Sequence, residues 1–307
     1  MSQQFLPVRL IALDLDGTLL NRKGEVSPRT QAALQYAVDH GVVVVPATGR
    51  PLASLPPVVA QLPGVRYAIT SNGAAVWDLG SDPLGAVYSR YSNAALHRTS
   101  EPACLVHRLL PPETAREVAA MCLDCRADLR IFADGRAYTD AASMEYAALR
   151  FARRFGSTEA RQPNDGRFTM VRDFPEWMSR HAHEVEKTCV FLGSAEMAQT
   201  ELPRFQAIAG VEVVQGSPEN IEVTAAGVDK GSALLSLADH LGIPRENTLA
   251  VGDSENDRAM LQKAGIAAVM ANGMSEIKTM AALVSEADCD HDGVAEILEK
   301  LGVCTGF

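Results

Sequence analysis

The sequence predicts an α/β fold, a Rossmann-like doubly wound parallel sheet interrupted by an inserted α+β unit, and three observations lead there. Short, mostly apolar runs at residues 10–13, 42–45, 248–251 and 266–270 have the length and character of strands covered on both faces. They alternate with helix-length stretches, the grammar of a parallel sheet. Between residues 86 and 218 that grammar stops and longer helices and hairpins replace it.

The elements follow in order. After the first strand (10–13), residues 19–25 make a polar excursion. Ser27-Pro28 then read as N-cap and first helical position, and Gly41 closes that helix after His40. A second strand (42–45) runs into Pro46-Ala47-Thr48-Gly49-Arg50. A third (67–70) reaches Asn72-Gly73, a turn that returns the chain through residues 74–77. On the C-terminal side a helix near 232–241 stops at Gly242 and Pro244. The strand 248–251 ends at Gly252-Asp253 and is followed by a helix to about Lys263; the strand 266–270 ends at Ala271-Asn272-Gly273, with a helix from Ser275. In the interruption we expect helices near 113–125 and 143–155, and hairpins over 129–138, turning at Asp134-Gly135, and 211–224, turning near Ser217-Pro218. The expected division is a core from 1–85 and 219–307 with an inserted cap from 86–218.

Length and composition narrow the function. A chain of 307 residues accommodates one large or two smaller domains, and 47% apolar with 21% charged residues is ordinary for a globular protein. A formal charge of −10 argues against nucleic-acid or anionic-membrane surfaces. No apolar run reaches the length of a membrane span, and Met1-Ser2-Gln3-Gln4-Phe5 lacks a signal-peptide pattern. We expect a cytoplasmic protein, a monomer or small homo-oligomer, with a small-molecule partner. The six cysteines show no disulfide framework. Cys122-x-x-Cys125 falls late in an expected helix, where core packing explains it better than zinc or redox chemistry. The insert carries 16 Lys+Arg against 17 Asp+Glu, leaving the flanking core at 12 against 21, and almost every insert cation is arginine. Arginines suit planar bidentate contacts, so the insert is a candidate to grip an anionic part of a substrate.

The most informative feature is Asp14-Leu15-Asp16-Gly17-Thr18 at the end of the first strand. At roughly 5–7% usage per residue type, four fixed positions recur by chance about once in 10⁵ starts. Asp16-Gly17 alone reads as a turn dipeptide, but that leaves Asp14, a charge ending a core-bound run, without a reason. Two carboxylates so placed can divide labour as nucleophile and general acid/base. Ligands of doubly wound sheets bind outside the carboxyl ends of the strands, where positions 14, 16, 48, 253 and 272 all fall.

Four segments line up in order: Asp14-x-Asp16-Gly17-Thr18, Thr48-Gly49-Arg50, Lys230-Gly231 and Gly252-Asp253-Ser254-Glu255-Asn256-Asp257. With Ser71-Asn72-Gly73-Ala74, Asn272, Lys278 and Asp292-Gly293-Val294, this pattern resembles the haloacid dehalogenase-like phosphohydrolases. The nearest likeness is the Cof-type subfamily, group IIB, which carries a large α/β cap between the second and third segments. The resemblance implies a phosphatase for a small phosphorylated metabolite, such as a sugar phosphate. It makes Asp14 the nucleophile that becomes an aspartyl-phosphate and Asp16 the general acid/base. It assigns Mg²⁺ to the Asp14 carboxylate, the Asp16 main-chain carbonyl and the Asp253 carboxylate, with Asp257 in the outer shell. Thr48, Lys230 and Asn256 would contact phosphate, Arg50 would bind substrate or tie its own loop, and Asn72 and Asn272 would form the site floor or serve as turn residues. Electrostatics gives a separate reason for a cation. Like charges about 4 Å apart repel by about 4 kcal/mol at an effective dielectric of 20, so four aspartates and a phosphate need a hard divalent ion between them.

The presence of Asp16 favours hydrolysis over an aspartyl-phosphate that persists. A hexose phosphomutase of the same superfamily is the alternative enzyme, and a non-catalytic metabolite-binding protein on the same fold is the alternative from another class. His181-x-His183 reads as a surface loop, and Asp290-His291-Asp292-Gly293 as the loop before the last helix. Pro56-Pro57 should shorten the helix that follows.

Overall fold

The computed structural model describes residues 7–91, 101–155 and 168–304. The chain opens with β1 (Leu10–Leu13), α1 (Pro28–Asp39), β2 (Val43–Pro46), a single-turn α2 (Pro57–Ala60), β3 (Tyr67–Thr70), β4 (Ala75–Asp78) and α3 (Pro83–Tyr88). The middle holds β5 (Ala103–His107), α4 (Pro112–Asp124), β6 (Asp128–Ala133), β7 (Arg136–Thr139), α5 (Ala141–Phe155), β8 (Phe168–Met170), α6 (Phe174–His181), β9 (Val185–Phe191), α7 (Ala195–Gln206), β10 (Val211–Val214) and β11 (Asn220–Ala225). The chain then returns through α8 (Lys230–His240), β12 (Thr248–Gly252), α9 (Arg258–Lys263), β13 (Ile266–Val269), α10 (Ser275–Lys278), β14 (Leu283–Val284) and α11 (Gly293–Lys300).

The core is a parallel sheet in the order β14-β13-β12-β1-β2. Strand β1 sits centrally, with Leu13 opposite Val251 on one side and Pro46 on the other. Its four residues are fully buried because alternate side chains enter different apolar layers. Ile11 and Leu13 pack with Leu34 and Ala37 of α1 and Ile297 and Leu298 of α11; Leu10 and Ala12 pack with Leu234 and Leu237 of α8. Helix α1 begins as its sequence requires, with the Ser27 hydroxyl accepting from Thr30 N–H at 3.1 Å and Pro28 at the first helical position.

The third strand pairs as its turn predicts. β3 runs antiparallel with β4 and meets the parallel sheet at an isolated bridge between Ala47 and Ile69. The reversal occurs at Ser71-Asn72-Gly73, three consecutive positive-φ residues (51°, 57° and 96°) that send the chain back at once. β4 in turn pairs with β5, which comes from the stretch assigned to the insert.

The inserted unit is a six-stranded mixed sheet in the order β10-β11-β9-β6-β7-β8. One face packs on α4, α6 and α7: Leu129, Ile131, Val190, Ile221 and Val223 meet Val118, Phe174, Met178 and Phe205. The expected hairpin turns at Asp134-Gly135 and near Ser217-Pro218 both occur. The boundary expected at 218–219 nevertheless falls inside a hairpin. β11 lies beyond it yet pairs with β9 and β10, so the chain leaves this sheet only after Ala225.

Candidate active site

Asp14 directly follows β1, and its backbone N–H donates to Val251 O at 3.0 Å, so the sheet itself aims the side chain. The residue is 5% exposed, and its Oδ1 accepts from Lys230 Nζ at 2.5 Å. Lys230, the first residue of α8, is fully buried and also donates to Asp257 Oδ1 at 2.7 Å. Helix α8 reaches this point for two local reasons. The Asp229 carboxylate caps it, accepting from Ser232 N–H at 2.8 Å. Gly231 lets it lie against α9, since a Cβ there would collide with the Ala259 carbonyl. That close approach explains the Lys-Gly pair.

Asp257 is consumed by protein contacts. Its second oxygen accepts from the N–H groups of Asp253 (3.0 Å) and Ser254 (3.2 Å), closing a capping box after β12. Asp253 faces the first loop, which approaches only because Gly17 sits at φ 87° without a side chain; a Cβ would strike Asp253 Oδ2. Asn272 holds that loop by donating from Nδ2 to Gly17 O at 2.7 Å, and its Oδ1 accepts from Cys289 N–H at 3.0 Å. Lys278 donates to Ala271 O at 2.5 Å, bracing the Asn272 turn.

Asp14, Asp253 and Asp257 each bring one carboxylate oxygen within 4.8 Å of the others, the only such group of potential metal ligands found among the described residues. Burial, and next the charge of Asp257, push the Asp14 carboxyl well above the usual carboxylate range, against the pull of Lys230. The same two causes push Asp253 up to about 7. Burial opposes the Lys230 charge, but Asp14 and Asp257 outweigh it and hold that ammonium above its ordinary value. Asp253 Oδ1 is buried with no hydrogen-bond partner among the described residues. Three carboxylates share one ammonium, and one oxygen is left over: an all-oxygen, electron-rich set that fits a hard divalent cation.

The remaining candidates surround this cluster. Asp16 is not one of the three clustered carboxylates; Arg50 grips it bidentately, Nε–Oδ2 at 2.9 Å and Nη2–Oδ1 at 2.6 Å. Arg50 thus ties the second loop to the first, and both residues line the cavity described below. Thr48 is 2% exposed; its hydroxyl accepts from Arg50 N–H at 3.2 Å, and its own N–H donates to Ile69 O at 2.9 Å. Asn256 Oδ1 accepts from the Ser254 hydroxyl at 2.8 Å on the cavity wall. Asn72 is not on that wall: it is buried, and Nδ2 donates to Glu222 Oε2 at 2.6 Å.

A cavity of about 1100 Å³ lies between the strand ends and the inserted sheet. Its floor includes Asp14, Asp16, Thr48, Arg50 and Asn256; its roof includes Arg130, Phe132, Lys187, Phe191 and Glu222. The roof follows from strand alternation. On β6, β9 and β11 the residues between those packed on the helices point to the cavity. Floor and roof are clamped. Lys187 Nζ donates to Gly49 O at 2.5 Å and to Glu222 Oε2 at 2.9 Å, and Glu186 accepts from the Ser71 hydroxyl at 2.6 Å and Gly135 N–H at 2.8 Å. Lys187 holds the Glu222 carboxyl below its usual range despite the opposing effect of burial.

Sequence reasoning missed these roof charges, although their signal was the one that exposed Asp14. Glu186, Lys187 and Glu222 interrupt apolar strand runs, and each is nearly or fully buried. The cysteines sit as expected, but His181 ends helix α6 and Ala182–Glu184 form a further helical turn where a surface loop was expected. Cys122 packs in the core of the inserted unit and all six cysteines are free. His181 stacks on Trp177, though Glu184 supplies a carboxylate partner at 3.2 Å that spacing had not suggested.

The haloacid dehalogenase-like hydrolase profile matches residues 11–298. Phosphatase YwpJ of Bacillus subtilis (strain 168) is 30% identical over 308 residues, spanning 96% of this chain and 100% of that protein. HMP-PP phosphatase of Serratia proteamaculans (strain 568) is 31% identical over 295 residues, spanning 95% and 94%. In fold, the chain matches the subclass IIB sugar phosphatase BT4131 with a TM-score of 0.75 at 23% identity, covering 97% of this chain and 100% of that one. The chain therefore belongs to the haloacid dehalogenase-like hydrolases and is a phosphatase of that family.

Proposed function

We propose that this protein is a Mg²⁺-dependent phosphomonoesterase for a small organic phosphate of the sugar-phosphate kind, working in a reducing, cytoplasmic setting. One observation carries the reading: the buried Asp14 carboxylate, held by Lys230 at 2.5 Å, opens onto a cavity large enough for a small metabolite. The relatives' names, an HMP-PP phosphatase and a subclass IIB sugar phosphatase, support a small phosphorylated substrate. The Asp14 and Asp253 carboxylates and the Asp16 main-chain carbonyl would hold Mg²⁺, with Asp257 behind them. The ion would supply the positive charge this cluster lacks.

The chain's own residues account for the chemistry. An Asp14 oxygen attacks phosphorus, forming the Asp14–phosphate bond as the bond to the leaving alkoxide breaks. Asp16 gives its proton to that alkoxide, then removes a proton from the water that attacks phosphorus and frees Asp14. Lys230 pulls Asp14 toward its ionised form and aims it, and Thr48 and Asn256 donate to the phosphoryl oxygens. The arriving phosphate competes for the Arg50 fork and releases Asp16 for proton transfer. The inserted sheet of β6 to β11, with the helices packed on it, is the cap that excludes bulk water.

The test is phosphate release from sugar phosphates, nucleotides and cofactor phosphates, with and without Mg²⁺. Release that requires Mg²⁺ on some members is the expected result. No release from any member, with or without the ion, overturns the reading.

A further inference from the structure

We propose that the cap roof is built to receive a second anionic group, so that the preferred substrates are phosphomonoesters carrying a carboxylate or second phosphate at the far end. This rests on the phosphatase reading and specifies its substrate class. The roof holds two arginines, Arg130 on β6 and Arg150 on α5, both lining the cavity. They share one carboxylate. Asp128, whose side chain is 2% exposed, accepts from Arg130 (Nε at 3.2 Å, Nη2 at 2.8 Å) and from Arg150 Nη2 at 3.1 Å. The other carboxylate near Arg150 among the described residues is Glu219, at 3.9 Å and outside hydrogen-bond reach. The two guanidiniums thus meet two carboxylates, only one of them at hydrogen-bond distance, which leaves a surplus of guanidinium N–H donors beside the cavity.

The surplus is set in an apolar frame. Arg130 lies over the rings of Phe168 (4.9 Å) and Phe191 (4.7 Å), and Arg150 lies over Phe191 at 4.4 Å. Aromatic faces hold the guanidinium planes flat and exclude water, which strengthens any charge-assisted contact there. Arg150 Nε is buried with no partner among the described residues, which adds to the unfilled donor capacity of the pair. Lys187, the other roof cation, does not share this role, because Glu222 and Gly49 O already engage it. The phosphate end of the substrate belongs on the floor with Asp14, and the cavity, at about 1100 Å³, has room for a body that reaches the roof. The bland alternative is that the arginines only fasten α5 to β6 through Asp128.

Matched phosphomonoesters separate the two readings. Glucose 6-phosphate presents a neutral tail, 6-phosphogluconate a carboxylate tail and glucose 1,6-bisphosphate a phosphate tail; phenyl and 4-carboxyphenyl phosphate repeat the comparison on a flat frame. A charge-assisted bidentate contact should raise kcat/KM of the anionic-tailed members over the neutral ones by about 10- to 100-fold. The larger arm identifies carboxylate or phosphate as the group read. In Arg150→Lys, which keeps the charge beside Asp128, and in Arg130→Met, that ratio should fall about tenfold or more. Release from the neutral-tailed member reports in each case that the enzyme is folded. A wild-type ratio near one, with turnover present, overturns this inference and leaves the phosphatase reading standing. A high ratio that both variants preserve overturns the assignment to the arginine pair. Absence of Mg²⁺-dependent release from every member overturns the phosphatase reading and this inference with it.

Discussion

Replacing Lys230 with methionine tests how the buried charge cluster is balanced. The side chains have similar length, so packing in the fully buried slot changes little while the ammonium disappears. Lys230 makes two ion pairs, at 2.5 Å to Asp14 and 2.7 Å to Asp257, inside a group of carboxylates whose nearest oxygens lie within 4.8 Å. At an effective dielectric of 20, each lost attraction near 4 Å is about 4 kcal/mol, and the carboxylates then repel one another by similar amounts. The full sum is not realised, because carboxyls already pushed upward, Asp14 and Asp253, take up protons instead. We therefore expect a loss of about 3–5 kcal/mol at pH 8 without metal, the cost of stranding a buried pair. The sign with pH follows. A carboxyl whose folded-state pKa is raised binds protons more tightly when folded, so the deficit shrinks as pH falls toward 5. Mg²⁺ should also restore part of it by replacing the missing positive charge. Urea denaturation at pH 8 and 5.5, with and without Mg²⁺, reads all three effects. A loss below about 1 kcal/mol in metal-free buffer at pH 8 would refute the argument that Lys230 balances the cluster.

Asp16→Asn should lower kcat/KM, which reports the step that forms the aspartyl-phosphate, by about 10²–10⁴-fold for alkyl phosphates and far less for p-nitrophenyl phosphate, whose leaving group needs no proton; equal losses of kcat/KM on both would remove Asp16 from the acid role. For the clamp between cap and core, Glu222→Gln should cost about 3–5 kcal/mol by leaving the Lys187 ammonium without its countercharge, whereas Glu222→Leu with Lys187→Met should recover most of that. Urea midpoints of both variants measure this, and a double variant no better than Glu222→Gln would contradict the pairing. The Glu186 hydrogen bond, at 3.1 Å, outweighs partial burial and raises the His107 pKa above 6.5. Its contribution to stability is full below about pH 6.5 and fades as pH rises through the folded-state value. A urea midpoint that falls over that interval in wild type but less in His107→Asn is the expected pattern; parallel curves would show that the pair contributes nothing.

The parts of the site read from sequence share one property: a residue with no packing reason to be where it is. Asp14 and Asp253 follow apolar strands, and the structure places both at the sheet mouth, Asp14 buried and Asp253 half-buried. The Lys230-Gly231 pair was legible through its place before Asp253, and the Gly231 contact with Ala259 supplies the physical reason. The roof was not legible because its residues come from β6, α5, β9 and β11, far apart in the chain and united only by strand alternation. On paper the alternation of Arg130 and Phe132 with Leu129 and Ile131 reads as a sheet with one wet face; the structure turns that face to the cavity. β9 escaped notice because Glu186-Lys187 breaks its apolar run, and those charges are tolerated inside only through partners on other segments. The boundary near 218 failed for a related reason. Ser217-Pro218 marks a turn within the cap, and only pairing of β11 with β9 reveals which sheet the next strand joins.

The central claim is that Asp14 itself takes the phosphoryl group. Rapid acid quench of the Mg²⁺-loaded enzyme with substrate, trapping of the acyl phosphate by reduction with tritiated borohydride, and then tryptic digestion read it directly. Cleavage after Arg9 and Arg22 isolates residues 10–22, the peptide that holds Asp14 and Asp16. The account predicts a transient label on that peptide, lost when hydroxylamine precedes the borohydride and absent from Asp14→Asn, whose turnover should drop by about 10³-fold or more. Label on any other peptide, or Asp14→Asn turning over at the wild-type rate, would contradict it.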